Sequence, residues 1–120
     1  MSRRWHELSI ETLIQLIQEP PTMVDAELAL CEIGDRIRLR ELNTIDRDLQ
    51  DLIAEHLNAP DLVVQLEAAI VLAELKDPRA ADVLVRAAAK RPLRLEALRA
   101  MGKLKTPTIE TCLQGYLGRF

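Results

Sequence analysis

Apolar residues in the second half of the chain recur every three or four positions, which is the spacing of one face of an α-helix. The first such series comprises Leu62, Leu66, Ala69, Leu72 and Ala73. This series predicts a helix over 61–75. Similar series predict helices over about 78–90, 93–104 and 108–117. In the 93–104 helix, the residues expected to face inward are Leu95, Leu98, Met101 and Leu104.

Two short segments interrupt this pattern in the same way. Lys76-Asp77-Pro78 places an acceptor side chain at a helix N-cap and a proline at the first helical position, where no hydrogen bond is lost. Lys105-Thr106-Pro107 repeats the arrangement with a threonine as the cap. Arg91-Pro92 is expected to end the helix that follows Asp77. The segments therefore divide this half of the chain into helices joined by tight turns.

The two segments lie within an internal repeat. The stretch 66-LEAAIVLAELKDPRAADVL-84 aligns with 95-LEALRAMGKLKTPTIETCL-113 at an offset of 29 residues, and seven of the 19 positions are identical. The identities fall at expected core positions, beside the cap and at the proline. Such self-similarity is typical of stacked helical hairpins, in which each unit covers the apolar face of the next.

The first half of the chain carries a weaker copy of this unit. The segment 25-DAELALCEIGD-35 aligns with 67-EAAIVLAELKD-77 at an offset of 42, and Gly34 is expected to be the C-cap of a helix over 23–33. Before it, Ser9 is expected to cap a helix over 10–18. The extra residues fall at 36–48, which we interpret as an irregular connection, with a short helix at 36–42.

These features predict a single all-α domain over 1–120. It contains a further helix over Ile45–Leu57, about seven helices in all and no strand, arranged as an α-α superhelix of about three hairpins. The clearest repeats are 62–92 and 93–120, and a weak repeat spans 9–35.

The repeated residues resemble a known family. The Glu-Ala pair that opens the second helix, the small residue before the terminal leucine (Ala73, Gly102) and Asp-Pro-Arg-Ala across the turn are similar to the short HEAT-like repeats of phycobilisome bilin lyases. The resemblance is specific over 62–113, partial over 23–35 and absent over 36–60. It implies a right-handed stack of hairpins with a concave face, used mostly for binding other proteins, and it does not identify a partner.

Charge and composition argue against nucleic acid as the partner. The net charge is −3, and the chain has one Trp, one Tyr and one Phe, so few side chains can stack on bases. Residues 1–60 hold 6 Lys/Arg against 12 Asp/Glu, and residues 61–120 hold 10 against 7. The basic cluster of the second half comprises Lys90, Arg91, Arg94, Arg99, Lys103 and Lys105. Nucleic-acid binding through this cluster remains an alternative with a salt-sensitive signature.

The residues that could carry chemistry are few and scattered. His6 and His56 are far apart in sequence, and Cys31 and Cys112 lie in amphipathic patterns without a CxxC spacing. We therefore expect two reduced thiols, no catalytic residue, no metal and no cofactor. The family resemblance leaves one enzymatic alternative, an accessory or lyase-type subunit that handles a bilin-like ligand.

The repeat register selects a candidate surface for a protein partner. In the second helix of each unit, Ile70 takes the position of Arg99, and Glu74 that of Lys103. At the offset of 42, the weak copy places Leu28 and Glu32 in these positions. We expect these positions to lie off the buried stripe, on the concave side. Gln65 and Arg94 share a neighbouring position and are expected to form a polar rim.

The last residues suggest a second contact. The stretch 115-GYLGRF-120 brings Tyr116, Leu117 and Phe120 to the end of the stack, where a solenoid normally has a polar cap. Either these side chains fold back on the core or another molecule covers them. In the second case the covering molecule is either a docked partner protein or a second copy, so a homodimer through this end is one expectation.

The sequence also predicts a location. The N-terminal Arg pair precedes no apolar run, and no window approaches the roughly 18 apolar residues of a membrane span. Together with the expected reduced thiols, these features predict a cytoplasmic protein.

Overall fold

Over the described residues the chain forms seven α-helices and no strand. The computed structural model describes residues 5–42 and 45–117. The helices are α1 (Ile10–Gln18), α2 (Met23–Arg38), α3 (Arg47–Glu55), α4 (Leu62–Glu74), α5 (Ala81–Ala88), α6 (Arg91–Met101) and α7 (Pro107–Leu117). Short 3₁₀ turns span Trp5–Glu7, His56–Asn58 and Pro78–Ala80. The all-α prediction is confirmed.

The helices pair into three hairpins, and α7 follows them. Helix α1 packs on α2, α3 on α4, and α5 on α6. The second helices of the hairpins form one layer, because α4 contacts both α2 and α6. In the other layer α1 contacts α3, and α5 contacts α7. The core between the layers is built from Leu, Ile, Val and Ala side chains, which allows close packing of the helices.

The caps predicted at Ser9 and Thr106 are present, and Thr22 caps α2 in the same way. The Ser9 hydroxyl accepts from the Thr12 amide at 3.1 Å, and the Thr22 hydroxyl accepts from the Asp25 amide at 3.2 Å. Thr106 accepts from the Ile109 amide at 3.2 Å at the start of α7. Each bond satisfies an amide that lacks a partner within its helix.

Asp77 does more than cap a turn. Its carboxylate accepts from the Arg79 amide at 3.0 Å, from the Arg79 guanidinium at 2.7 Å and from the Gln50 side chain at 2.8 Å. Arg79 also contacts Asp51 at 3.1 Å. The buried carboxylate therefore ties the turn after α4 to α3. Burial raises the pKa of Asp77, but the hydrogen bonds from Arg79 and Gln50 outweigh burial and hold the pKa at about 2.

The end of α2 differs from the prediction. Gly34 is not a C-cap, because α2 continues to Arg38, and no separate helix forms over 36–42. The left-handed residue is Arg40, with φ of 62°, and the Glu41 amide donates to the Arg36 carbonyl at 2.8 Å. Lys76 ends α4 in the same way, with φ of 60°. Both ends are Schellman motifs built without glycine.

Gly34 instead allows two helices to approach closely. A Cβ at this position would lie 3.3 Å from Cγ2 of Val71 on α4. Small residues, Ala73 and Gly102, occupy the positions of the next two second helices that correspond to Gly34 when the first copy is aligned at an offset of 39 instead of 42. The glycine of the weak copy is therefore a packing residue.

Three further boundaries are shifted. Pro78 opens a 3₁₀ turn, and α5 begins only at Ala81. Helix α5 ends at Ala88, and Pro92 lies in the first turn of α6, so Arg91-Pro92 begins a helix instead of ending one. The helix expected over Ile45–Leu57 is shorter, because its last turn is the 3₁₀ turn at His56–Asn58.

Leu95 is the one expected core residue of α6 that the structure places outside. Its exposed fraction is 61%, whereas Leu66 at the same position of α4 is 1% exposed. Leu66 lies in a helix that has a neighbour on both sides. Among the described residues no second helix packs beyond α6, and this difference explains the exposure of Leu95.

Candidate functional site

A surface groove of about 730 Å³ crosses the layer of second helices. Its apolar lining comes from Leu30, Val71 and Ala100, which form a buried floor, and from Ile70, which is partly exposed. Its charged lining comes from Asp35, Arg38, Glu67, Glu74, Glu96, Arg99 and Lys103. Helices α2, α4 and α6 each contribute because they present the same face at successive repeats. The groove therefore combines apolar contact area with charges of both signs.

Four of the residues selected by the repeat register lie together in this groove. Ile70 and Glu74 on α4 lie beside Arg99 and Lys103 on α6. Ile70 is half-buried against the core, so only part of its side chain faces the groove. The 29-residue offset thus predicts both the helices and the face that they present.

The offset of 42 places the weak copy three residues out of register with the packing seen in the structure. The α2 residues in the groove include Cys31 and Asp35, but not Leu28 or Glu32. An offset of 39 matches the buried series Ala29, Leu30, Ile33 and Gly34 with Ala68, Ala69, Leu72 and Ala73. Alignment on the small residue, Gly34 with Ala73 and Gly102, gives this register and would have selected Cys31 and Asp35.

Leu28 and Glu32 have different surroundings. Leu28 is 38% exposed on α2. Glu32 pairs with Arg36, whose Nε lies 2.9 Å from the carboxylate. The buried Arg36 also donates to the Leu8 carbonyl at 2.6 Å and to the His6 carbonyl at 3.2 Å. This network holds the N-terminal 3₁₀ turn against α2, so the known contacts of Glu32 are internal.

Gln65 and Arg94 occupy the same position of the repeat, and each side chain donates an equivalent hydrogen bond to a backbone carbonyl. Gln65 Nε2 donates to the carbonyl of Ala59 at 2.5 Å, and Arg94 Nε donates to that of Ala88 at 2.8 Å. In each case the acceptor lies six residues earlier, at the end of the preceding helical segment. These side chains therefore fasten successive helices together, and neither lines the groove.

Some charges of the groove are already paired within the molecule. Glu74 on α4 pairs with Lys103 on α6, and Asp35 pairs with Arg38 one turn later on α2. Among the described residues, Glu67, Glu96 and Arg99 form no ion pair. These three side chains are the groove charges that a bound molecule can compensate.

Glu67 lies in an unfavourable environment for a carboxylate. Burial, followed by repulsion from Glu96, Glu27 and Asp35, raises the pKa of Glu67 to about 7. Glu67 and Glu96 take the same position in successive repeats, so their proximity is a consequence of stacking. A cationic group placed between them would remove this repulsion.

Cys31 is a poor nucleophile in this setting. Burial, followed by repulsion from Glu67 and Asp35, raises the pKa of its thiol to about 11. At neutral pH the thiol therefore stays protonated, and the thiolate is the reactive form. Cys31 and Cys112 are both free thiols.

The histidines do not assemble a metal centre. His6 lies 4.0 Å from Glu7 and is mostly exposed. His56 Nδ1 lies 3.2 Å from the Leu52 carbonyl at the end of α3. Over residues 5–42 and 45–117, no three His, Cys, Asp or Glu side chains are grouped so that they could hold a metal ion.

The basic cluster of the second half is divided between several roles. Lys103 pairs with Glu74 and Arg94 donates to a backbone carbonyl, so neither extends freely toward solvent. Lys90, Arg91, Arg99 and Lys105 are exposed. The cluster is therefore not a single uninterrupted basic surface.

The residues predicted to mediate self-association lie at the C-terminal end of the sequence. Tyr116 and Leu117 end α7, but their side chains lie outside the described residues, as does Phe120. Self-association through these residues thus stays a prediction.

In the part of the chain that the structure describes, no helix has the length and apolar character needed to cross a membrane.

Comparison with known families identifies one repeat. The family model of the PBS lyase HEAT-like repeat matches residues 64–90, which comprise most of α4, the Pro78–Ala80 turn and α5. The resemblance drawn from the repeated residues is confirmed by this match. No curated protein matches the chain.

Proposed function

We propose that this HEAT-like repeat chain is a non-enzymatic adaptor that binds a segment of another protein in the groove of α2, α4 and α6. The observation that carries the proposal is the composition of that groove. Ile70 is partly exposed in it, beside three charged side chains that have no ion-pair partner among the described residues: Glu67, Glu96 and Arg99. Stacked helices hold these groups in place before binding, so little ordering cost opposes association.

The groove also suggests what the bound segment carries. An apolar side chain would pack against Ile70, and a lysine or arginine would lie between Glu67 and Glu96. Burial of the apolar side chain supplies affinity, while the cation relieves the repulsion that keeps the pKa of Glu67 high. The proposed partner segment is therefore basic and partly apolar.

The lyase-type alternative has less support. If this chain itself formed a covalent bond to a bilin in the groove, the thiol that lines the groove is Cys31. Its pKa of about 11 leaves it protonated at neutral pH. A noncovalent adaptor role needs no reactive group and uses the groove as it stands.

Selection from a displayed library of random linear peptides tests this function. We expect enriched peptides to combine basic and apolar residues and to bind Ile70→Glu at least about tenfold more weakly than the wild type. Leu95→Glu is the matched control, because it adds the same charge at an exposed apolar position outside the groove. Circular dichroism verifies that both variants are folded.

The outcomes separate clearly. Peptides that discriminate against Ile70→Glu and tolerate Leu95→Glu place binding in the groove. Peptides that bind all three proteins equally would overturn the groove assignment, as would a selection in which no peptide depends on Ile70.

A further inference from the structure

Among the described residues, no helix covers the outer side of α6. At the same position of the repeat, Leu66 is 1% exposed and Leu95 is 61% exposed. Ala73 is fully buried, whereas Gly102, at its position in α6, is exposed. A Cβ on Gly102 would meet only backbone atoms of its own helix, at Arg99 and Leu98. This side of α6 thus has the form of an internal contact without a helix against it.

Helical geometry defines the extent of the surface. Positions three, four and seven residues apart share one side of a helix. Leu95 therefore shares a side with Gly102, a small residue, and with Leu98, which is only partly exposed because it also packs against the core. Arg91 and Arg99 lie four residues before and after Leu95 on the same side, and both are exposed. We call these five residues the α6 end face.

The internal stack shows what kind of element fits such a face. Leu66 lies on the side of α4 that is covered in the repeat stack, where α6 is the next second helix. The buried residues of α6 include Ala97 and Ala100, so small side chains allow the helices to approach. An occupant of the α6 end face is by analogy a helix with small and apolar residues along one side.

Charge distinguishes between two possible occupants. In a two-fold dimer centred on Leu95, Arg91 of one copy would lie beside Arg99 of the other. Such like-charge contacts oppose association. Asp or Glu residues beside the apolar stripe of a different helix would instead pair with both arginines.

We propose that the α6 end face binds an acidic amphipathic helix of a partner protein, which stacks on α6 as a further second helix. The helix contributes small or apolar side chains to Leu95, Leu98 and Gly102, and carboxylates to Arg91 and Arg99. Of the five residues of the α6 end face, Arg99 also lines the proposed peptide groove, and the other four do not.

A displayed library of helical peptides, randomised along one side, tests the proposal with the full chain as target. We expect enriched helices to carry Ala or Leu in a stripe flanked by Asp or Glu. Their affinity should fall at least about tenfold in Leu95→Glu and also in Arg91→Glu, as measured by fluorescence anisotropy. Arg86→Glu is the charge control, because Arg86 is exposed on α5. Ile70→Glu serves as the groove control and should retain binding.

Each contrary result overturns a stated part of this assignment. Enriched helices with basic flanks, or helices that bind Leu95→Glu as well as wild type, would remove the acidic-helix proposal. Light scattering that shows a wild-type dimer dissociated by Leu95→Glu would assign the face to a second copy instead. Loss of binding in Ile70→Glu alone would place these helices in the groove, which separates failure here from failure of the groove proposal.

Discussion

Leu66→Ala is expected to lower the free energy of unfolding by about 3 kcal/mol, whereas Leu95→Ala lowers it by less than about 0.5 kcal/mol. The two residues occupy one position of the repeat, and the chemical change is the same. Only their surroundings differ, since Leu66 is 1% exposed and Leu95 is 61% exposed. A buried leucine leaves a cavity when it is truncated, but an exposed leucine does not.

Urea denaturation of both variants beside the wild type measures this difference. The pair controls for helix propensity, because alanine replaces leucine within α4 in one case and within α6 in the other. Equal losses of stability would mean that Leu95 is covered like Leu66. They would contradict the assignment of α6 as the last second helix of the described stack. A monomer at the working concentration must be verified, since a bound copy would protect Leu95.

Glu67→Gln is expected to stabilise the folded protein at pH 8, by on the order of 1–2 kcal/mol. The pKa of Glu67 is about 7 in the folded state, against an ordinary value of 4.5. Folding therefore disfavours the charged carboxylate. Full conversion of that difference would give about 3 kcal/mol, and solvent around the half-buried side chain reduces it. Glutamine has nearly the same shape without the charge.

The sign of this effect depends on pH. Below pH 4.5 the carboxyl is protonated in both the folded and the unfolded states, so the two proteins should have similar stability. As pH rises from 4.5 to about 7, the unfolded state loses its proton first and the wild type loses stability relative to Glu67→Gln. Thermal or urea unfolding from pH 4 to pH 8 follows the difference in stability between the two proteins.

Glu110→Gln, at an exposed position of α7, is the control. A stability difference between Glu67→Gln and wild type that stays constant across this range would contradict the assigned environment of Glu67.

The strong repeat made much of the fold predictable. Leu, Ala and Pro recur at an offset of 29, so the helix order, the Asp77 and Thr106 caps and the α4–α6 part of the groove follow from the sequence. These features depend on local periodicity and on short-range hydrogen bonds, which a sequence pattern records directly.

The rest depends on contacts that the pattern does not contain. Gly34 resembles a C-cap in sequence, but its role is set by the distance to Val71 on another helix. Leu95 matches a core position, and its exposure depends on whether a further helix stacks there. Glu67 looks like an ordinary surface glutamate until stacking brings Glu96 and Asp35 near it. In each case a tertiary neighbour determines the outcome.

The most direct test of the groove assignment is an amide chemical-shift titration of the labelled protein with a selected linear peptide. Binding in the groove predicts the largest shifts at Gly34, Glu67, Val71 and Ala100, on the three second helices that line it. The same titration of Ile70→Glu should show much smaller shifts. Shifts confined to α3, α5 and α7, with those four amides unchanged, would contradict the proposal that this groove is the binding surface.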